Sequence, residues 1–82
     1  MWFVTTMHKI PKFYSLDNAV IEVSAIEWVD NDEVNSSLLV KDSMQAITVL
    51  FQAGIKGFPT KQEAREFGKA LGIPNWKYLK IT

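Results

Sequence analysis

The chain has no cysteine, a single histidine, three prolines and four glycines in 82 residues. Without cysteine there are no disulfides, no zinc–cysteine sites, no thiol nucleophile and no iron–sulfur ligation. Stability must then rest on the packed core or on a partner. His8, standing alone, has no second histidine for a metal pair. The glycines at 54, 57, 68 and 72 form no phosphate-cradling loop; two of them read better as helix stops. No apolar run approaches the roughly 20 residues of a membrane helix. The first eight residues have no basic lead followed by a long apolar stretch, so no secretory signal is expected and the expected location is cytoplasmic.

What is present is globular: 48% hydrophobic and 22% charged residues, which argues against disorder. One domain over 1–82 is the natural expectation, although a chain this short hides only about 60–65% of its unfolded surface. Net charge is zero, yet the charges segregate. Residues 1–12 carry Lys9 and Lys12, a net of +2. Residues 13–42 carry Asp17, Glu22, Glu27, Asp30, Asp32, Glu33 and Asp42 against Lys41, a net of −6. Residues 43–82 carry Lys56, Lys61, Arg65, Lys69, Lys77 and Lys80 against Glu63 and Glu66, a net of +4. The poles meet each other within one fold, across a homodimer, or on a partner.

Residues 2–9 alternate loosely and are rich in Trp, Phe, Val and Thr, a strand pattern ended by Pro11. Ser15 and Asp17 suit the start of a helix. Leu16, Ala19, Val20, Val23 and Ile26 share one helical face, while Ile21, Ala25, Trp28 and Val29 fall elsewhere. Periodicity leaves helix and buried strand open here. An internal echo favours helix over 16–28: residues 13–19 and 58–64 both read aromatic, spacer, hydroxyl, then alanine at the fourth position after it. Residues 30–33 read as a turn and 38–40 as a short strand.

The second half is clearer. Ser43 is the expected cap of a helix with Ala46, Ile47, Leu50 and Phe51 on one face, stopped by Gly54. Thr60 and Glu63 form a capping box for a helix with Ala64, Phe67 and Leu71 inward, stopped by Gly72 and Pro74. Residues 76–82 alternate as a strand that must pair, with the first strand as the obvious neighbour. The expected class is therefore α+β: a small antiparallel sheet including both terminal strands, packed by two or three helices. Its expected core is Phe3, Val20, Val23, Ile47, Leu50, Phe51, Ala64, Phe67 and Leu71.

Nothing in the pattern points to catalysis. Asp30, Asp32 and Glu33 lack calcium-loop spacing, and the serines at 15, 24, 36, 37 and 43 lack a nucleophile elbow. A non-enzyme without metal or cofactor is expected. Two binding readings remain. In the first, a protein partner is engaged through Trp28, Asp30, Asp32 and Glu33, since aromatic residues carry much interface energy when desolvated. The opposing view places the tryptophans in the core. In the second, Lys61, Arg65 and Lys69 form a basic stripe, extended by Trp76, Lys77 and Lys80 with Tyr78 interleaved, which suits nucleic acid. A solvated helix face explains the same stripe more simply.

Residues 67–81 also resemble a helix-turn-helix: Gly68 precedes the turn glycine, Gly72, by four, Ile73 comes directly after it, and Tyr78 and Ile81 fall at apolar positions of a second helix. The cysteine-free composition, the terminal strands and the units at 13–19 and 58–64 resemble small bacteriophage accessory proteins. That resemblance implies binding that inhibits or redirects a host enzyme or defence complex, and it carries no site residues.

Overall fold

The computed structural model describes residues 1–30 and 38–81. Its elements run β1 (Trp2–Thr5), β2 (Phe13–Tyr14), β3 (Val20–Ile21), β4 (Trp28–Asp30), β5 (Leu38–Val40), α1 (Ser43–Gln52), α2 (Lys61–Ala70) and β6 (Lys77–Lys80). Four strands form an antiparallel sheet in the order β3-β2-β1-β6, and β4 pairs with β5 in a separate ribbon. The class is α+β, with the two terminal strands adjacent: Trp2 lies opposite Lys80, Phe3 opposite Leu79, Val4 opposite Tyr78 and Thr5 opposite Lys77.

Alternation along these strands sorts side chains onto two faces. Phe3, Phe13 and Ile81 pack with Ala46 and Leu50 of α1 and with Ile26 and Ile55; Trp28 and Val40 of the ribbon lean on this cluster. Val4 and Tyr14 pack on the other face with Phe58 and with Ala64 of α2, flanked by Phe67, Leu71, Trp76 and Tyr78. The sheet is thus covered on both sides, which is why the short β1 is buried over Phe3, Val4 and Thr5.

Both helices end as their sequences suggest, with one shift at a start. Thr60 accepts the Glu63 N–H at 3.2 Å and opens α2. For α1 the cap is Asp42, whose Oδ1 accepts the Gln45 N–H at 3.2 Å, and Ser43 is the first helical residue rather than the cap. Aspartate and serine cap about equally well, so the slip is one of register. After α1, Gly54 takes φ +83°, its N–H reaches Phe51 O, and the Ile55 N–H reaches Leu50 O at 2.9 Å. These are the two bonds of a left-handed glycine stop.

The expected helix over 16–28 is absent. Ser15 and Ala19 close a hairpin between β2 and β3: the Ser15 N–H donates to Ala19 O, and the Ser15 hydroxyl accepts the Ala19 N–H. Asn18 sits at φ +64°, a left-handed turn position that asparagine tolerates. The hydroxyl and carboxylate read as cap and first turn are instead turn formers, and the β-branched Val20 and Ile21 complete the second arm. Trp28 begins β4. In consequence Val20 is half-exposed instead of core, and Phe51, on the outer side of α1, is also half-exposed. Phe3, Leu50 and Ala64 are fully buried as expected, and Val23, Ile47, Phe67 and Leu71 are partly buried against the two clusters. The first strand stops at Thr5 instead of residue 9. The Thr6 N–H and hydroxyl there turn to Lys12, closing an exposed bend over 7–10. In the turn expected at 30–33, Asp30 is the last residue of β4, and the rest lies outside the described residues.

Candidate functional site

An open cleft of about 460 Å³ is lined by Lys61, Gln62, Arg65 and Tyr78. Its geometry is set by the fold. The Thr60 cap places Lys61 at the first helical position, and 3.6-residue periodicity puts Arg65 one turn later on the same side. The small Ala64 and Gly68, buried on the neighbouring face of the helix, let α2 lie close to the sheet. Trp76 exploits that gap: a Cβ on Gly68 would stand 2.6 Å from the indole. Tyr78 comes from β6 on the α2 face of the sheet.

Aromatic rings line up beside these cations. Trp2 and Tyr78 meet edge to face at 6.1 Å between centroids, and Tyr78 meets Trp76 likewise at 5.1 Å. The Lys61 ammonium lies 5.2 Å from the Tyr78 ring centre and 5.7 Å from that of Trp2, and the Lys80 ammonium lies 5.5 Å from that of Trp2. Such contacts are worth about 0.5–1 kcal/mol each at exposed sites. They hold the ammonium groups in place without neutralising them. Among the described residues the one ion pair is Lys41 with Glu27 at 3.4 Å, remote from the cleft. Glu66 of α2 accepts from the Gln62 amide at 3.4 Å. Lys61, Arg65 and Lys80 therefore have no carboxylate counterion among the described residues.

The structure divides the basic residues singled out from sequence. It sets Lys61 and Arg65 together in the cleft lining and brings Lys80 to the Trp2 ring that Lys61 also meets. Lys69 is exposed in the last turn of α2, outside the cleft lining, where a cation also suits the helix dipole. Lys77 lies opposite Thr5, on the other face from Tyr78 and Lys80. Trp76 is a packing residue over Gly68. The helix-turn-helix resemblance does not hold in structure, because its second helix would need Lys77–Lys80, which is strand β6.

Of the acidic group, Trp28 is half-buried against the core opposite Val40 and borders a smaller recess of about 250 Å³ with Ile10, Pro11 and Ile26. It is a packing side chain rather than a freely presented one. Asp30 ends β4, and Asp32 and Glu33 lie outside the described residues. His8 Nδ1 is 2.8 Å from Thr6 Oγ1, a local contact in the 6–12 bend. Among the described residues no three His, Asp or Glu side chains gather as metal ligands, and no helix is long and apolar enough to cross a membrane.

Sequence reading placed Lys80 in the basic stripe but did not join it to Trp2, and it gave Gln62 no role. The signal was available: pairing the first and last strands and then counting alternate residues puts Trp2, Tyr78 and Lys80 on one face. Compared with known protein families, curated proteins and solved structures, the chain matches none of them.

Proposed function

We propose that the chain is a non-catalytic binding protein that engages an acidic surface of a protein partner at the Lys61–Arg65–Tyr78 cleft. It acts by occupancy, as an inhibitor or regulator of that partner. The observation that carries this reading is the pair Lys61 and Lys80 held over the Trp2 and Tyr78 rings, with Arg65 beside Lys61 in the cleft lining and none of the three paired with a carboxylate among the described residues. A partner carboxylate gains charge-assisted hydrogen bonds there, and the partly buried rings of Trp2 and Tyr78 offer their remaining apolar area beside them. The test is quantitative capture of partner protein by the wild-type chain and by a Lys61→Glu, Arg65→Glu double variant. Strong capture by the wild type with little by the folded variant is expected. Equal capture by both sinks the reading.

A second reading, single-stranded nucleic acid, is favoured by one observation: the Trp2–Tyr78–Trp76 ring ladder runs beside the same cations. Bases stack on such rings and phosphates meet such cations. It requires a labelled twelve-residue oligothymidylate to bind at low salt and to lose affinity when Lys61 and Arg65 are changed to Gln. No anisotropy change at low salt removes it.

A further inference from the structure

β6 is the outer strand of the four-stranded sheet. The Met1 amino group donates to Ile81 O at 2.9 Å, and the Ile81 N–H donates to Met1 O at 2.9 Å. Met1 and Ile81 are therefore a hydrogen-bonded pair, and by antiparallel alternation so are Phe3 with Leu79 and Thr5 with Lys77. Trp2 confirms the phase: its N–H and C=O turn away from β6 and bond Phe58 at 2.7 and 2.8 Å. The backbone groups of Tyr78 and Lys80 must then point outward from the sheet, and among the described residues no backbone group meets them. An open edge of this kind is a template for another strand.

The side chains above that edge are selective. Tyr78 and Lys80 share the α2 face, Tyr78 beneath Lys61 in the cleft lining and Lys80 over the Trp2 ring that Lys61 also meets. On the opposite face Leu79 packs into the core cluster beneath α1. A second copy of the chain is disfavoured, because two-fold pairing of β6 with itself brings two sets of Lys61, Arg65 and Lys80 to one side of a continuous sheet. Carboxylates on an incoming strand reverse that sign.

We infer that β6 is a docking edge for an extended acidic segment of a protein partner, which joins the sheet as an antiparallel fifth strand. Its carboxylates stand over Tyr78 and Lys80, within reach of Lys61 and Arg65, and its alternate residues lie beside Leu79. The inference rests on the acidic-partner reading of the cleft and specifies the geometry of engagement.

The probe is a blocked, fluorescein-labelled octapeptide of alternating glutamate and valine. In antiparallel addition the residues facing Tyr78 and Lys80 exchange hydrogen bonds with them, so the glutamate N–H groups point at β6 and the valine N–H groups point away. N-methylation of the glutamates should weaken binding more than tenfold, and N-methylation of the valines should leave it within about twofold. On the protein side, peptide should slow amide exchange at Tyr78 and Lys80 more than tenfold, and Lys61→Gln with Arg65→Gln should weaken binding more than tenfold. Equal affinity of both methylated peptides, with the charge variants still weak, overturns strand addition while leaving an acidic partner in place. Loss on valine methylation alone overturns the antiparallel register. Slow, concentration-dependent exchange of those amides in the free chain gives the edge to a second copy and overturns the proposal. Binding of oligothymidylate but not peptide overturns both this inference and the acidic-partner reading.

Discussion

Gly68 shows how much one missing side chain decides. It is buried in the middle of α2, where glycine costs up to about 1 kcal/mol relative to alanine. Its place is explained by the Trp76 indole, which would lie 2.6 Å from a Cβ. Gly68→Ala should therefore destabilise the fold by about 1–3 kcal/mol despite better helix propensity, because the indole must move. Chemical denaturation followed by tryptophan fluorescence measures the loss, and a stabilised variant contradicts the packing described. Asp17 is decisive in a different way. The Ser15 hydroxyl donates to its carboxylate, and backbone N–H groups add to this, holding the group below the usual carboxylate range. A depressed folded-state value favours the fold above the unfolded value, and that contribution disappears as pH falls through the folded one. Ser15→Ala should raise the Asp17 midpoint toward the ordinary range, measured by carboxyl NMR titration. An unchanged midpoint would assign the shift to the backbone alone.

At the scale of elements, the two stretches that look alike in sequence fold differently. Residues 58–64 open a helix and residues 13–19 make a hairpin, although each has an aromatic, a hydroxyl two residues later and an alanine four beyond that. The residues immediately C-terminal to each stretch separate the outcomes. Arg65, Glu66 and Ala70 are good helix formers, whereas Val20, Ile21 and Val23 are β-branched. The caps can be tested directly. Thr60→Ala and Asp42→Ala should each cost about 1 kcal/mol. Because Thr60 positions Lys61 at the cleft, only its variant should also weaken partner binding. Thermal unfolding together with a binding titration distinguishes the two, and an equal effect of both on binding would remove the link between cap and cleft.

For the whole molecule, the charge segregation becomes spatial. The net +4 of residues 43–82 supplies Lys61 and Arg65 to one cleft and Lys80 to the Trp2 ring that Lys61 also meets, and the apolar sheet beneath fixes their common side. Binding of an acidic partner there should weaken several-fold between about 50 and 300 mM salt, since exposed charges are screened over roughly 10 Å at 0.1 M. Titration calorimetry across that range checks it, and salt-independent affinity contradicts a cleft that works by charge. The α1 side is coupled to the same sheet. Leu50→Ala, at a fully buried position, should cost about 2–5 kcal/mol by leaving a cavity against the cluster that contains Phe3 and Phe13.

The α+β class, both helices, the glycine stops and the pairing of the two ends were legible in the residues themselves, because caps, periodicity and strand alternation are local signals. Lys61 and Arg65 were legible for the same reason, being one turn apart on a well-capped helix. The fate of 16–28 was not, since the Val20–Ile21 arm is stabilised by bonds to Phe13 and Tyr14 across a turn, and Trp28 by pairing with Val40. Nor was the union of Trp2, Tyr78 and Lys80 with α2. Sequence alone determined which residues carry charge and which segments can be amphipathic. Only tertiary structure decided which of them share a face, because a strand obtains its hydrogen bonds, and a cleft its walls, from parts of the chain far away in sequence.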